Sequence, residues 1–200
     1  MILNGDWKMR VRTMRSNGDN EGAKRELRKA KMVWYDKLEE DSDRFFIDYC
    51  LAHHCFKEKD FEMANKYLDM INIIFKDKFS KESMMKEYCN FLWLNVNVNY
   101  DKMTTNEVSD TMYFIAKYYS AVKEYSIAVG AIANIYSYKK DGDKLLEKFE
   151  EFLECEKIDN YDFIESFLND CGDISHSLYI QATNLYNKYK YASKINIDVV

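Results

Sequence analysis

Two hundred residues, 47% hydrophobic and 32% charged, suffice for one domain with a sizeable core or two small ones, and they exclude a largely disordered chain. With no Pro and only 6 Gly, an all-β sandwich is disfavoured, because its many turns normally use both residues. The net charge of −5 hides an asymmetry, since residues 141–170 are acidic while Lys8, Arg10, Arg12, Arg15, Lys24, Arg25, Arg28, Lys29 and Lys31 make the N-terminal region basic.

A basic helix suits nucleic acid or an acidic partner, and otherwise serves as a solvated face; no recognition-helix pattern accompanies this one. The five cysteines (Cys50, Cys55, Cys89, Cys155, Cys171) form no CxxC pair. Their odd number and the lack of a signal peptide point to a reducing, cytoplasmic setting. Apolar runs fall far short of the ~20 residues that span a bilayer, so no membrane is expected.

In chain order, the first sixteen residues predict a short helix with Trp7, Val11 and Met14 on one side. Asn17-Gly18-Asp19-Asn20 reads as a turn, with Asp19 or Asn20 as cap. Ala23, Leu27, Ala30, Val33 or Trp34, and Leu38 predict a helix over 21–40. Asp41-Ser42-Asp43 is the next cap. Helices over 45–57 and 61–75 follow, separated by the tight turn Glu58-Lys59-Asp60. Further helices are predicted over 81–98, 108–122, 125–138, 144–155, 161–170 and 174–190, with breaks at polar or Gly-containing points such as 156–160. Short connections force antiparallel neighbours. The expected fold is all-α: antiparallel helical hairpins stacked as a short tetratricopeptide-like solenoid. An N-terminal helical segment, 1–41, would precede repeats over 42–200 in one continuous domain.

A tetratricopeptide unit of 34 residues places small residues where its two helices cross closely. Leu51-Ala52, Cys55, Phe61, Ala64, Leu68 and Ile71 fit that template. Ile115-Ala116, Tyr119, Tyr125, Ala128, Ile132 and Ile135 fit it better, 64 residues further on (Ala64 to Ala128). The region 81–106 would be a degenerate unit. Tyr179, Ala182, Tyr186 and Tyr189 repeat the second-helix pattern. Together with Tyr191 they make the last helix aromatic for a polar cap, which suggests a homodimer through it.

Cys50, His53 and His54 share a helix face, as a soft-metal site would require, but Cys55 diverges and no second ligand pair is evident, so no metal is expected. No nucleophile elbow, phosphate loop or zincin motif is present, and carboxylate pairs such as Glu150-Glu151 read as solvated faces. Neither a catalytic residue nor a cofactor is expected. Asn95, Asn97 and Asn99 either end a helix or clamp a peptide backbone, since an amide both donates and accepts; Asn134 and Asn184 are placed to do the same.

The order of Leu3-Asn4, Trp7, Ala23, Leu27, the run Leu38-Glu39-Glu40-Asp41-Ser42-Asp43 and the following Phe45-Phe46-Ile47-Asp48-Tyr49-Cys50 resembles the opening of the Rap family. These are peptide-regulated proteins among the tetratricopeptide quorum-sensing receptors of Gram-positive bacteria and their phages. The resemblance implies an N-terminal bundle that grips a response regulator, here through Glu39, Glu40, Asp41 and Ser42, and repeats that bind a short signalling peptide, here through Asn95, Asn97, Asn134 and Asn184. Some members dephosphorylate the regulator and others block its binding to DNA. The phosphatase members carry Gln after Glu-Glu-Asp, where this chain has Ser42, too short to orient an attacking water. Members are also nearly twice as long. The expectation is therefore a non-enzymatic regulator that binds a partner protein, with a phospho-aspartyl phosphatase and a nucleic-acid binder as alternatives.

Overall fold

The computed structural model describes residues 5–155 and 161–195. Among them there is no strand, and the chain is all-α. The helices are α1 (Gly5–Ser16), α2 (Asn20–Val33), α3 (Asp41–Lys57), α4 (Phe61–Ile74), α5 (Lys78–Ser83), α6 (Met85–Val98), α7 (Thr105–Ala121), α8 (Tyr125–Lys139), α9 (Gly142–Cys155), α10 (Tyr161–Ile174) and α11 (His176–Ile195). They form two compact units that divide between Lys102 and Met103, with the first 41 residues inside the first unit. The predicted break at 156–160, and Leu3 and Asn4, lie outside the described residues.

Two predicted helices are interrupted. The 21–40 segment stops at Val33, passes through a 3-10 turn at Tyr35–Lys37 and becomes extended at Leu38. The exit coincides with burial: Leu38 is 2% exposed in the core it shares with residues of α1, α2 and α3. The Arg44 guanidinium donates to the Leu38 carbonyl that this exit leaves without a helical partner. The 81–98 segment likewise breaks at Met84, which leaves the helical region (φ −120°, ψ 42°) and separates α5 from α6.

In the first unit α3 is apolar on two sides. Ile47, Cys50 and Leu51 pack with Trp7, Val11, Ala23, Leu27 and Ala30 of α1 and α2. Phe45, Ala52 and Cys55 pack instead with Ala64, Leu68 and Ile71 of α4 and with Phe91, Leu94 and Val98 of α6. A helix shared between two cores cannot keep a polar stripe, so its two buried acids are neutralised in place. Asp43 pairs with Lys8, and Asp48 with Lys31, while Tyr35 donates its hydroxyl to Asp48. In the second unit Phe149 and Phe152 of α9 meet Phe167 of α10 with ring centroids 4.9 and 5.3 Å apart, over Leu178 and Ala182 of α11. Gly142 sits close to this core: a Cβ would lie 2.9 Å from a Leu178 methyl, which would have to shift.

One turn geometry recurs. After α1, α3, α7 and α8 a residue at positive φ ends the helix: Gly18 (81°), Lys59 (61°), Lys123 (65°) and Lys140 (54°). Each N–H bonds the carbonyl three residues back, and the next N–H bonds the carbonyl five back, as in Lys59 to Phe56 and Asp60 to Cys55. This is the Schellman arrangement, with lysine three times where glycine is usual. The following residue is acidic each time. Asp19, Asp60 and Asp141 accept from the N–H three residues on (Gly22, Met63, Lys144), and so start the next helix. Glu124 opens α8 without such a bond. Antiparallel hairpins built from two-residue reversals of this kind need neither Pro nor many Gly.

Candidate functional site

The basic N-terminal region is largely spent internally. Lys8, Arg10, Lys24 and Lys31 pair with Asp43, Glu26, Glu58 and Asp48, fastening α1 and α2 to each other and to α3. Lys24 reaches Glu58 at 2.6 Å from a buried position. Four of the nine basic side chains are thus committed to carboxylates, which weakens the field a nucleic acid would meet.

Glu39, Glu40, Asp41 and Ser42 form the entry to α3. Glu39 and Glu40 are exposed, whereas Asp41 and Ser42 are half-buried. Asp41 accepts from Arg44 at 3.0 Å and from the Ser80 hydroxyl at 3.3 Å, and Ser80 also donates to Asp77. The Ser42 hydroxyl donates to Glu40 at 3.2 Å. The result is an acidic ledge at a helix N-terminus, held from α5.

Of the four asparagines, Asn95 and Asn97 belong to the first unit, and Asn134 and Asn184 to the second. The Asn99 amide donates to the Asn95 side chain at 3.1 Å and to Asn65 of α4 at 2.8 Å, a ladder that stitches the end of α6 to α4. Asn134 donates to the Gly130 carbonyl of its own helix. Asn184 is exposed, in an open cleft with Asp143, Glu147 and Lys188.

The Cys50–His53 face is filled by Arg15. Its guanidinium lies 3.2 Å from the Cys50 sulfur and 3.1 Å from His53 Nδ1. A cation already sits where a metal would have to. Burial pushes the Cys50 thiol up, and burial followed by Arg15 and Lys57 pushes His53 down to about 4, so both face the guanidinium neutral. No group of three metal-ligating side chains occurs among the described residues. Cys50, Cys55, Cys89 and Cys171 are buried and free.

A groove shaped to receive another molecule lies in the second unit. Tyr113, Ala116, Lys117 and Ser120 line one face of α7; Tyr125, Ala128, Val129 and Ile132 line one face of α8; Lys148 and Glu151 of α9, paired with each other, close the side. Both helices present the i, i+3, i+4, i+7 spacing, and the two alanines let the groove reach the floor, giving a cavity of about 420 Å³. Its rim is apolar and wet, with Tyr113 at 51% and Tyr125 at 54% exposure. The template marks Ala116 and Ala128 as packing positions only. It omits Tyr113 and gives Tyr125 only a packing role, whereas both rings are exposed rather than used in the core.

Tyr186 and Tyr189 of the last helix pack against their own core, and the Tyr189 hydroxyl donates to Glu154 at 3.0 Å, leaving Tyr179 and Ile180 exposed. The Tyr191 side chain lies outside the described residues. No helix among the described residues is long and apolar enough to cross a membrane. No family model matches the chain, and neither the curated proteins nor the solved structures contain a match.

Proposed function

We propose that the chain is a non-enzymatic, cytoplasmic regulatory protein of Rap-like kind that binds a segment of a partner regulator in the α7–α8–α9 groove. The carrying observation is the groove itself: a small-residue floor flanked by Tyr113 and Tyr125, large rings left in water beside an apolar cavity. Tyrosine contributes wide contact at low entropic cost, and Lys117 on the rim adds a charge for an acidic neighbour. The non-enzymatic half rests on Ser42, whose hydroxyl turns to Glu40 where a resembling phosphatase would hold a glutamine amide.

A photo-crosslinking residue at Tyr113, introduced in cells of the source organism, tests this. One specific regulatory protein should be captured, and Ser120→Arg, which blocks the groove from its exposed rim, should abolish the capture. Capture of nothing, or capture indifferent to Ser120→Arg, removes the proposal.

A further inference from the structure

A second cavity, of about 270 Å³, lies in the first unit between α1, the start of α2 and the end of α3. Its charged lining is wholly basic: Arg12 and Arg15 from α1, and Lys57 from α3. Among the described residues none of these three is ion-paired to a carboxylate, although their neighbours Lys8, Arg10, Lys24 and Lys31 all are. Arg15 is held by two neutral acceptors, Cys50 and His53, which use two of its five N–H groups and leave the others for a ligand. Arg12 is steadied over the Phe46 ring at 5.4 Å. His54, 95% buried, also lines the cavity, and its Nε2 has no hydrogen-bond partner. Buried polar atoms are seldom left so. Of the nearby acids, Glu58 is taken by Lys24, and both Glu58 and Glu21 act on His54 through their charge.

We propose that this cavity binds a phosphate group, as inorganic phosphate or on a small phosphomonoester. Three cations without a carboxylate partner, lining one recess with Asn20, match a dianion with several oxygens; a lone carboxylate would satisfy one arginine. The site is a recess lined in part by buried His54, and the neighbouring Lys8, Arg10 and Lys24 are already paired. Without ligand, His53 is kept neutral by burial and by Arg15 and Lys57; a dianion opposes both charges and raises the histidine's proton affinity.

The test is titration of the full chain with inorganic phosphate at constant ionic strength, with chloride as control, read by the histidine ring resonances. Saturable movement of His53 and His54, with the His53 titration midpoint rising when phosphate is bound, is expected. Arg12→Gln and Lys57→Met, both at exposed side chains that hold no ion pair, should each weaken binding about tenfold. Arg15→Gln should abolish it, and its unliganded melting curve separates lost binding from lost fold. Repeating the titration with a phosphomonoester distinguishes a free anion from a tethered one. Movement matched by chloride, no saturation, binding untouched by Arg12→Gln and Lys57→Met, or tighter binding of a short oligonucleotide through the same residues would each overturn the site.

Discussion

Replacing Lys31 by Met would leave Asp48 fully buried with only the Tyr35 hydroxyl. Burial already lifts the Asp48 carboxyl above its ordinary range, against the pull of Lys31 and Tyr35. Without the ammonium, the cheapest response is to take up a proton. At pH 7 that costs about 1.4 kcal/mol for each of the roughly three units separating the pH from an ordinary carboxyl, so about 4 kcal/mol at most. This ceiling agrees with the ~3–5 kcal/mol typical of a broken buried pair. The Tyr35 bond, together with water entering where the Lys31 side chain is 24% exposed, should reduce it to about 2–4 kcal/mol. In the variant the folded pKa lies further above the unfolded one, so the penalty is present at neutral pH, grows as pH rises toward the folded pKa and disappears as pH falls to about 4. Trp7, Trp34 and Trp93 all lie in the first unit, so urea unfolding followed by tryptophan fluorescence reports that unit alone. The double variant Lys31→Met/Asp48→Asn, which keeps an acceptor for Tyr35 without the charge, should recover most of the loss. An equal loss at pH 4 and pH 7, or no recovery in the double variant, would refute the reasoning.

Lys59→Gly should stabilise the first unit by about 0.5–1 kcal/mol, because glycine meets no Cβ penalty at φ 61°; a shift of the urea midpoint to higher concentration checks it. Thr104→Ala removes the capping box in which Thr104 and Glu107 satisfy each other's backbone N–H, and should cost about 1 kcal/mol. Faster hydrogen exchange confined at first to the opening turn of α7 is the expected signature. Acid should act on His53 and Asp170 in opposite directions. His53, held at about 4 against an ordinary 6.5, contributes stability that is full above pH 6.5 and lost as pH falls toward 4. Asp170, raised to about 6 chiefly by burial, contributes stability that is present at low pH and lost as pH rises through 6. Fluorescence melts of His53→Gln should show a flatter pH dependence than the parent over that range, and far-UV melts of Asp170→Asn should do so for the second unit.

What was legible in the sequence was local. Asp19 and Asp60 announce helix starts, and Ala64 and Ala128 mark close crossings, because each effect acts within a few residues. The interruption at Leu38 was hidden, since the pattern through 21–40 is helical and the burial of Leu38 with residues of α1, α2 and α3 is not local. Lys31–Asp48 and Lys24–Glu58, 17 and 34 residues apart, were equally hidden, and a basic helix therefore looked like a free surface. The Cys50–His53 face was noticed for its ligand types, but its occupant, Arg15, comes from another helix. The asparagines illustrate the converse: residue type suggested a clamp, while Asn95 and Asn134 spend polar atoms on their own helices and neighbours.

The lysine–acid reversals carry a consequence for how this chain can change its length. At Lys59-Asp60 and Lys140-Asp141 one dipeptide both stops a helix and starts the next, so a residue inserted there separates the two functions and unseats both helices. The passage at 99–104 carries no such overlap, because Asn99 ends α6 and Thr104 starts α7. Insertions and deletions that preserve the fold should therefore collect in that stretch, and a loop graft or a reporter placed there should be tolerated where the same graft at a hairpin tip is not.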